Sequence, residues 1–132
     1  MATTKLKTAV DMKLEIVVLG VSDVDRAKAF YVDQIGFAAD FDQVVTEELR
    51  FVQLTPPGSA CSIAFGKGLT DMEPGVQQGI QVVIPNADEA YAHLRENGVE
   101  ATPVDEQPWG RFVTFRDPDG NGWTLQELVP RD

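Results

Sequence analysis

A chain of 132 residues with a single cysteine, Cys61, has no internal disulfide, and such usage fits a reducing compartment. Lying on a strand-like run, that cysteine reads as a small buried hydrophobe rather than a nucleophile. Histidine is equally scarce. His93 is the only one, and it falls off the apolar stripe of its helix, as a solvent-facing residue does. Basic residues are outnumbered, 11 Lys and Arg against 21 Asp and Glu, for a formal net charge of −10. With no Lys/Arg cluster and no basic helix, neither a nucleic acid nor an anionic membrane is an expected partner. The acidity favours solubility and is silent about substrate. Met1 to Asp11 contains no continuous apolar block, so it is read as a frayed cytosolic terminus rather than a secretory signal or membrane span.

What the sequence does contain is organised around Arg111 to Glu127. Two strand-like runs there flank Asp117-Pro118-Asp119-Gly120, whose Pro and Gly suit a tight turn. The arms alternate, so Phe112, Thr114, Thr124 and Gln126 share one face of a β-hairpin. That mixture of polar, small and aromatic groups suits a cavity wall better than a dry core. Leu49 to Phe65 repeats the pattern around Pro56-Pro57-Gly58, setting Ser62 opposite Thr124 and Ala64 opposite Gln126. The same offset, within a residue or so, lays Ile16 to Val21 on Gly79 to Ile84. An internal repeat fixes the architecture before local assignments are trusted.

Each half reads strand, helix, strand, strand, strand. In the first, Ser22 or Asp23 caps a helix whose stripe is Val24, Ala27 and Tyr31. In the second, Asn86 caps, Glu89 completes a capping box, and Ala87, Ala90, Tyr91 and Leu94 form the stripe. Gly36 and Gly98 end the two helices. Gly66 to Gln78 is a polar Gly/Pro connector. Its Gly66-Lys67-Gly68 lacks the pattern of a phosphate loop, and no cofactor is expected. The division that follows is a flexible tail over 1–12 and a single domain over 13–132, made of modules 13–66 and 79–130.

Two βαβββ halves, an opening LEIVVLGVSDVDRAKAFYVDQIGF and a closing FRDPDGNGWTLQE resemble the vicinal oxygen chelate superfamily, which includes glyoxalase I, bleomycin-resistance proteins and extradiol dioxygenases. The resemblance implies an α+β fold of two tandem modules, each a curled mixed sheet forming a partial barrel around a cavity, and it implies a homodimer. In metal-dependent members the ligands come from inward positions that correspond here to Ile16, Ser62, Gly79 and Thr124. None of these is a usual metal ligand, so no metal is expected. Glu15 and Glu127 point by strand parity to the opposite face, and a slip of one residue would reverse that. Thr114 stands where extradiol dioxygenases of this fold carry an active-site tyrosine, which counts against that chemistry.

Strand parity gathers Arg50, Val52, Ser62, Ala64, Gln81, Val83, Phe112, Thr114, Thr124 and Gln126 around the expected cavity. Arg50 reads either as a group holding a carboxylate or phenolate, or as a strand-end arginine in solvent. Trp109, in the loop before the central hairpin, is either a stacking lid or a plug closing the barrel end. The ligand-binding set is Arg50, Ser62, Gln81, Trp109, Phe112, Thr114, Thr124 and Gln126; no catalytic residue is assigned. The function read from this set is a cytoplasmic protein that binds a small aromatic or polycyclic molecule in a metal-free cavity. The alternative is a metal-independent lyase or isomerase, which needs a proton-transfer group that the expected cavity does not offer. A metal-dependent glyoxalase or dioxygenase comes third.

Overall fold

The computed structural model describes residues 9–130. Most of the expected N-terminal tail, up to Thr8, lies outside the described residues, and residues 9–15 carry no regular structure. Strand β1 (Ile16–Val18) leads into helix α1 (Val24–Ala29), which continues as a π-helical segment, Phe30–Ile35. Strands β2 (Ala38–Thr46), β3 (Leu49–Thr55) and β4 (Ser62–Lys67) complete the first module. The second repeats it with β5 (Ile80–Val83), α2 (Ala87–Glu96), β6 (Asp105–Gln107), β7 (Gly110–Arg116) and β8 (Gly122–Leu128). The sheets run β1-β4-β3-β2 and β5-β8-β7-β6. Among the described strands the β1–β4 and β5–β8 pairs are parallel and the rest antiparallel, because each helix carries the chain from β1 or β5 across to the far strand, β2 or β6, and two reversals then bring it back alongside. The fold is α+β, two tandem modules with open, curled sheets.

Local sequence accounts for the element ends. The Asp23 side chain accepts from Arg26 N at 3.0 Å, and Asn86 accepts from Glu89 N at 3.0 Å, satisfying amides that have no partner within the helix. The second cap differs in detail from a capping box: a third group, Glu127 Oε1, takes the Ala87 amide at 2.8 Å. The first helix was expected to run on as an α-helix to Gly36. Instead it widens by a turn, and the amides of Gly36 and Phe37 both reach Tyr31 O, at 2.9 and 2.8 Å. Gly36 has φ +100°, a left-handed value that a side chain disfavours.

Alternation along the strands then sorts the residues. Val52, Leu54, Ile63, Phe65, Val113, Phe115, Trp123 and Leu125 are buried on the sides that carry the helices. Tyr31 lies between the modules, its ring centroid 6.0 Å from Phe65 of the first sheet and 5.7 Å from Trp123 of the second. Trp123 stacks on Phe115 at 5.8 Å, so it packs beneath helices, as its parity implies. The helix-bearing sides of both sheets therefore close on one shared aromatic core, and the opposite sides face away from it.

Polar groups inside this core are paired. Tyr31 Oη donates to Asp117 Oδ2 at 2.8 Å and accepts from Trp123 Nε1 at 2.9 Å. Asp117 also accepts from Asn121 Nδ2 and from the amides of Asn121 and Asp119. Asn121 Nδ2 reaches back to Gly20 O at 2.9 Å. The turn of the central hairpin is thus locked to the loop after β1 and to the π-helical segment that follows α1. A buried polar group left without a partner costs about 1–3 kcal/mol, which is why the Asp-x-x-x-Asn spacing matters here.

Candidate functional site

The faces turned away from the core carry the candidate site. In the first sheet the register Gln53↔Ala64 and Ile16↔Ser62 puts Phe51, Gln53 and Thr55 beside Ser62 and Ala64. Asp40 joins them because the β2–β3 register shifts between Ala39 and Phe41, turning the intervening carboxylate to this side. Thr55 Oγ1 donates to Asp40 Oδ2. Ser62 Oγ lies 2.7 Å from Thr55 Oγ1, and Gln53 Nε2 lies 3.4 Å from Ser62 Oγ. Hydroxyls and an amide form one chain ending on a carboxylate.

In the second sheet Gln81 pairs with Thr124, Phe112 with Gln126, and Thr114 with Thr124. Gln81 Nε2 donates to Gln126 Oε1 at 2.6 Å, and Gln126 Nε2 donates to the Trp109 carbonyl at 3.3 Å. Thr114 Oγ1 lies 3.0 Å from Thr102 Oγ1. Trp109 is 62% exposed at the rim. Where the first module's face is anchored by a carboxylate, the second is anchored by a main-chain carbonyl.

A groove of about 940 Å³ runs between the β1 and β5 edges. Ser62 and Gln81 line it together with Leu14, Val17, Ile80 and His93. A second depression of about 780 Å³ reaches Thr114 and Thr124. His93 is exposed, but it is not on a remote face of the helix: its Nε2 lies 3.1 Å from Ile35 O, bridging α2 to the first module.

Three sequence-based placements need correction. Arg50 is on the helix-bearing side of its sheet, bonded to Asp42 at 2.9 and 2.8 Å and to Asp25 at 2.9 Å. Lys28 reaches the same Asp42 carboxylate at 2.9 Å. The Arg50 and Lys28 hydrogen bonds hold Asp42 well below the usual carboxylate range. Val52 is buried in the core and does not line a cavity. In both cases the parity of β3 runs one residue out from the sequence assignment, so Gln53 and Thr55 take the places given to Arg50 and Val52. The inward partner of Thr124 is Gln81, not Gly79, which precedes β5. The remaining candidates lie on or at the rim of the open faces, Ser62 on the first and Gln81, Trp109, Phe112, Thr114, Thr124 and Gln126 on the second.

The family's metal positions are therefore occupied by Ile16, Ser62, Gln81 and Thr124. An alkyl group, two hydroxyls and an amide do not fit a divalent metal. Among the described residues no three His, Cys, Asp or Glu side chains converge. Glu127 caps α2 and accepts from Arg111 at 3.2 Å, which places it on the helix-bearing side.

The open faces thus carry amides and hydroxyls on a scaffold of two paired βαβββ modules. The sequence profile of the Glyoxalase/Bleomycin resistance protein/Dioxygenase superfamily matches residues 13–125. The chain belongs to that superfamily. It is similar to TnmS3, an antibiotic binding protein from Streptomyces sp. CB03234, with 31% identity, a TM-score of 0.84, and coverage of 92% of this chain and 100% of that one. A superfamily member from Sphaerobacter thermophilus DSM 20745 is 35% identical with a TM-score of 0.79, covering 89% of this chain and 98% of its own. The uncharacterized protein YetH of Bacillus subtilis (strain 168) is 28% identical over 109 residues, 81% of this chain and 91% of YetH.

Proposed function

We propose that this protein binds a small aromatic or polycyclic organic molecule against its open sheet faces, without a metal. The observation that carries the reading is the chemistry of those faces. Gln53, Ser62, Gln81, Thr124 and Gln126 are neutral hydrogen-bonding groups set among Phe51 and Phe112, the combination by which small-molecule sites fix orientation on an apolar wall. The similarity to an antibiotic binding protein supports it.

The reading includes a homodimer. Both open faces turn away from the core of their own chain, and they expose Phe41, Val83 and Trp109. Laying the second-module face of one copy over the first-module face of its partner would enclose a ligand and cover these apolar rims twice, once per symmetry-related site. It also includes a cytoplasmic location, supported by the lone Cys61, and no nucleic-acid or membrane partner, supported by the net charge of −10. No helix among the described residues is long and apolar enough to cross a membrane.

One observation favours a second reading, a metal-independent lyase or isomerase. Asp40 brings to the first open face a carboxylate that strand parity alone does not put there, and a carboxylate in hydrogen-bond reach of a substrate is a general base. Isothermal titration and a turnover assay on the same compound separate the two. Saturable binding with the compound recovered unchanged supports the binding protein, and product formation lost in Asp40→Ala supports the enzyme. Light scattering that gives a monomer mass at every concentration would remove the dimer from the reading.

A further inference from the structure

Each open face ends in an amide whose orientation is dictated by the group at the far end of its hydrogen-bond chain. An ionised carboxylate only accepts, so the one hydroxyl proton of Thr55 goes to Asp40. The Thr55 oxygen must then accept, and the 2.7 Å contact with Ser62 uses the Ser62 proton. With that proton spent, Ser62 Oγ has only lone pairs to offer Gln53 and must face its NH2 group, as it does at 3.4 Å. The Gln53 carbonyl oxygen is left over, and no donor among the described residues reaches it.

The second face repeats the logic from a different anchor. The Trp109 carbonyl only accepts, which fixes Gln126 with Nε2 toward it and Oε1 toward Gln81. Gln81 therefore donates through Nε2, at 2.6 Å. Its own Oε1 has no donor among the described residues. Both chains are polarised in the same sense, from an obligatory acceptor outward to an unpaired amide carbonyl.

Resting on the small-molecule reading above, we infer that Gln53 Oε1 and Gln81 Oε1 are fixed hydrogen-bond acceptors that select ligands bearing hydroxyl or amino donors over their ethers and over carboxylates. A methyl ether gives these oxygens nothing to accept and covers them from water, and a carboxylate meets two acceptors and the Asp40 charge. Asp40 acts as a positioning residue. Removing it frees the Thr55 proton for Ser62 and the Ser62 proton for Gln53 Oε1, which lets the amide turn its NH2 group outward.

The test uses 2-naphthol, 2-methoxynaphthalene and 2-naphthoate, titrated by fluorescence into the full chain and into Asp40→Ala, Gln53→Leu and Gln81→Leu, with circular dichroism confirming that each variant is folded. The wild type should bind 2-naphthol at least about fivefold more tightly than the ether, the range expected when a desolvated acceptor goes unpaired, and 2-naphthoate more weakly still. Gln53→Leu and Gln81→Leu should each reduce that ratio. Asp40→Ala should reduce the ratio from both sides, weakening 2-naphthol and strengthening the ether that can now accept from the turned NH2 group, a gain that loss of packing would not produce. Equal affinity for 2-naphthol and its ether, or an unaltered ratio in all three variants, overturns the acceptor assignment and leaves the binding reading standing. Absence of binding by all three compounds overturns both.

Discussion

The two sides of each sheet are made by the same strands and behave as different materials. On the helix-bearing sides, Trp123 packs with its ring centroid 5.7 Å from that of Tyr31 and 5.8 Å from that of Phe115, and among the described residues no buried side-chain polar atom lacks a partner. On the open sides, hydroxyls and amides bond mainly to one another and leave acceptors over. Neighbours such as Trp123 and Thr124 belong to opposite sides, so the core and the face proposed for binding are separated by a step of one residue. A chain that alternates in this way can vary its open face by substitution at one parity without revising its core.

That separation is broken most severely at Trp123, which is 2% exposed. Trp123→Ala should lower unfolding free energy by about 3–5 kcal/mol, measured by denaturant unfolding, and a loss under about 1 kcal/mol would show that the modules do not share a core. Tyr31→Phe comes next, at about 1–3 kcal/mol, since it strands the Trp123 indole N–H and removes a donor to Asp117. It should also change the alkaline limb. Burial, and then the Asp117 charge, push the Tyr31 hydroxyl well above its ordinary value. Below about pH 10 both folded and unfolded states keep the proton; above it the unfolded chain ionises first and stability falls. Tyr31→Phe should lack that component of the fall.

A smaller effect is expected at Asp42, on the helix-bearing side but partly exposed. Its depressed folded-state value makes its contribution full above about pH 4 and lost as pH falls through that value. Asp42→Asn should flatten the acid limb of stability by about 1 kcal/mol or less, because solvent screens the pair; an unchanged limb would show the Arg50 and Lys28 contacts to be energetically silent. The smallest stability change belongs to the open side. Gln126→Ala should stay within about 0.5 kcal/mol of wild type in denaturant and yet weaken 2-naphthol binding by releasing Gln81. A large stability loss there would mean that the open face is part of the core after all.

Much of the fold is legible in the sequence alone. Pro and Gly at fixed offsets announced both hairpins, and the repeat announced two modules with Trp123 beneath a helix. The β3 parity was not, although Phe51, Gln53 and Thr55 show the same mixture of aromatic, amide and hydroxyl that marks Phe112 and Thr114 as a cavity wall. Choosing Arg50 and Val52 instead placed an arginine where the structure has an amide. Asp40 gave no periodic signal, because a register irregularity and not alternation turns it to the open side. Gln81 was missed as the partner of Thr124 because the offset between modules drifts along the repeat. His93 lies off its own helix stripe, and a helix stripe says nothing of a second module packed alongside.

The Tyr31 seam also bears on how the two halves fold. Tyr31 and Phe37 of the first half pack against Trp123 of the second, so the two halves share one aromatic seam. Neither half should remain an independent folding unit, and slow amide exchange in both should report one common opening. The peptide bond between them is correspondingly dispensable, since the seam rather than the connector supplies the cohesion. A chain cut at Leu69–Thr70 should reassemble from its two pieces on mixing, whereas either piece alone should stay unfolded, because the Tyr31–Asp117–Trp123 cluster, the Asn121–Gly20 bond and the His93–Ile35 bond all cross from one half to the other.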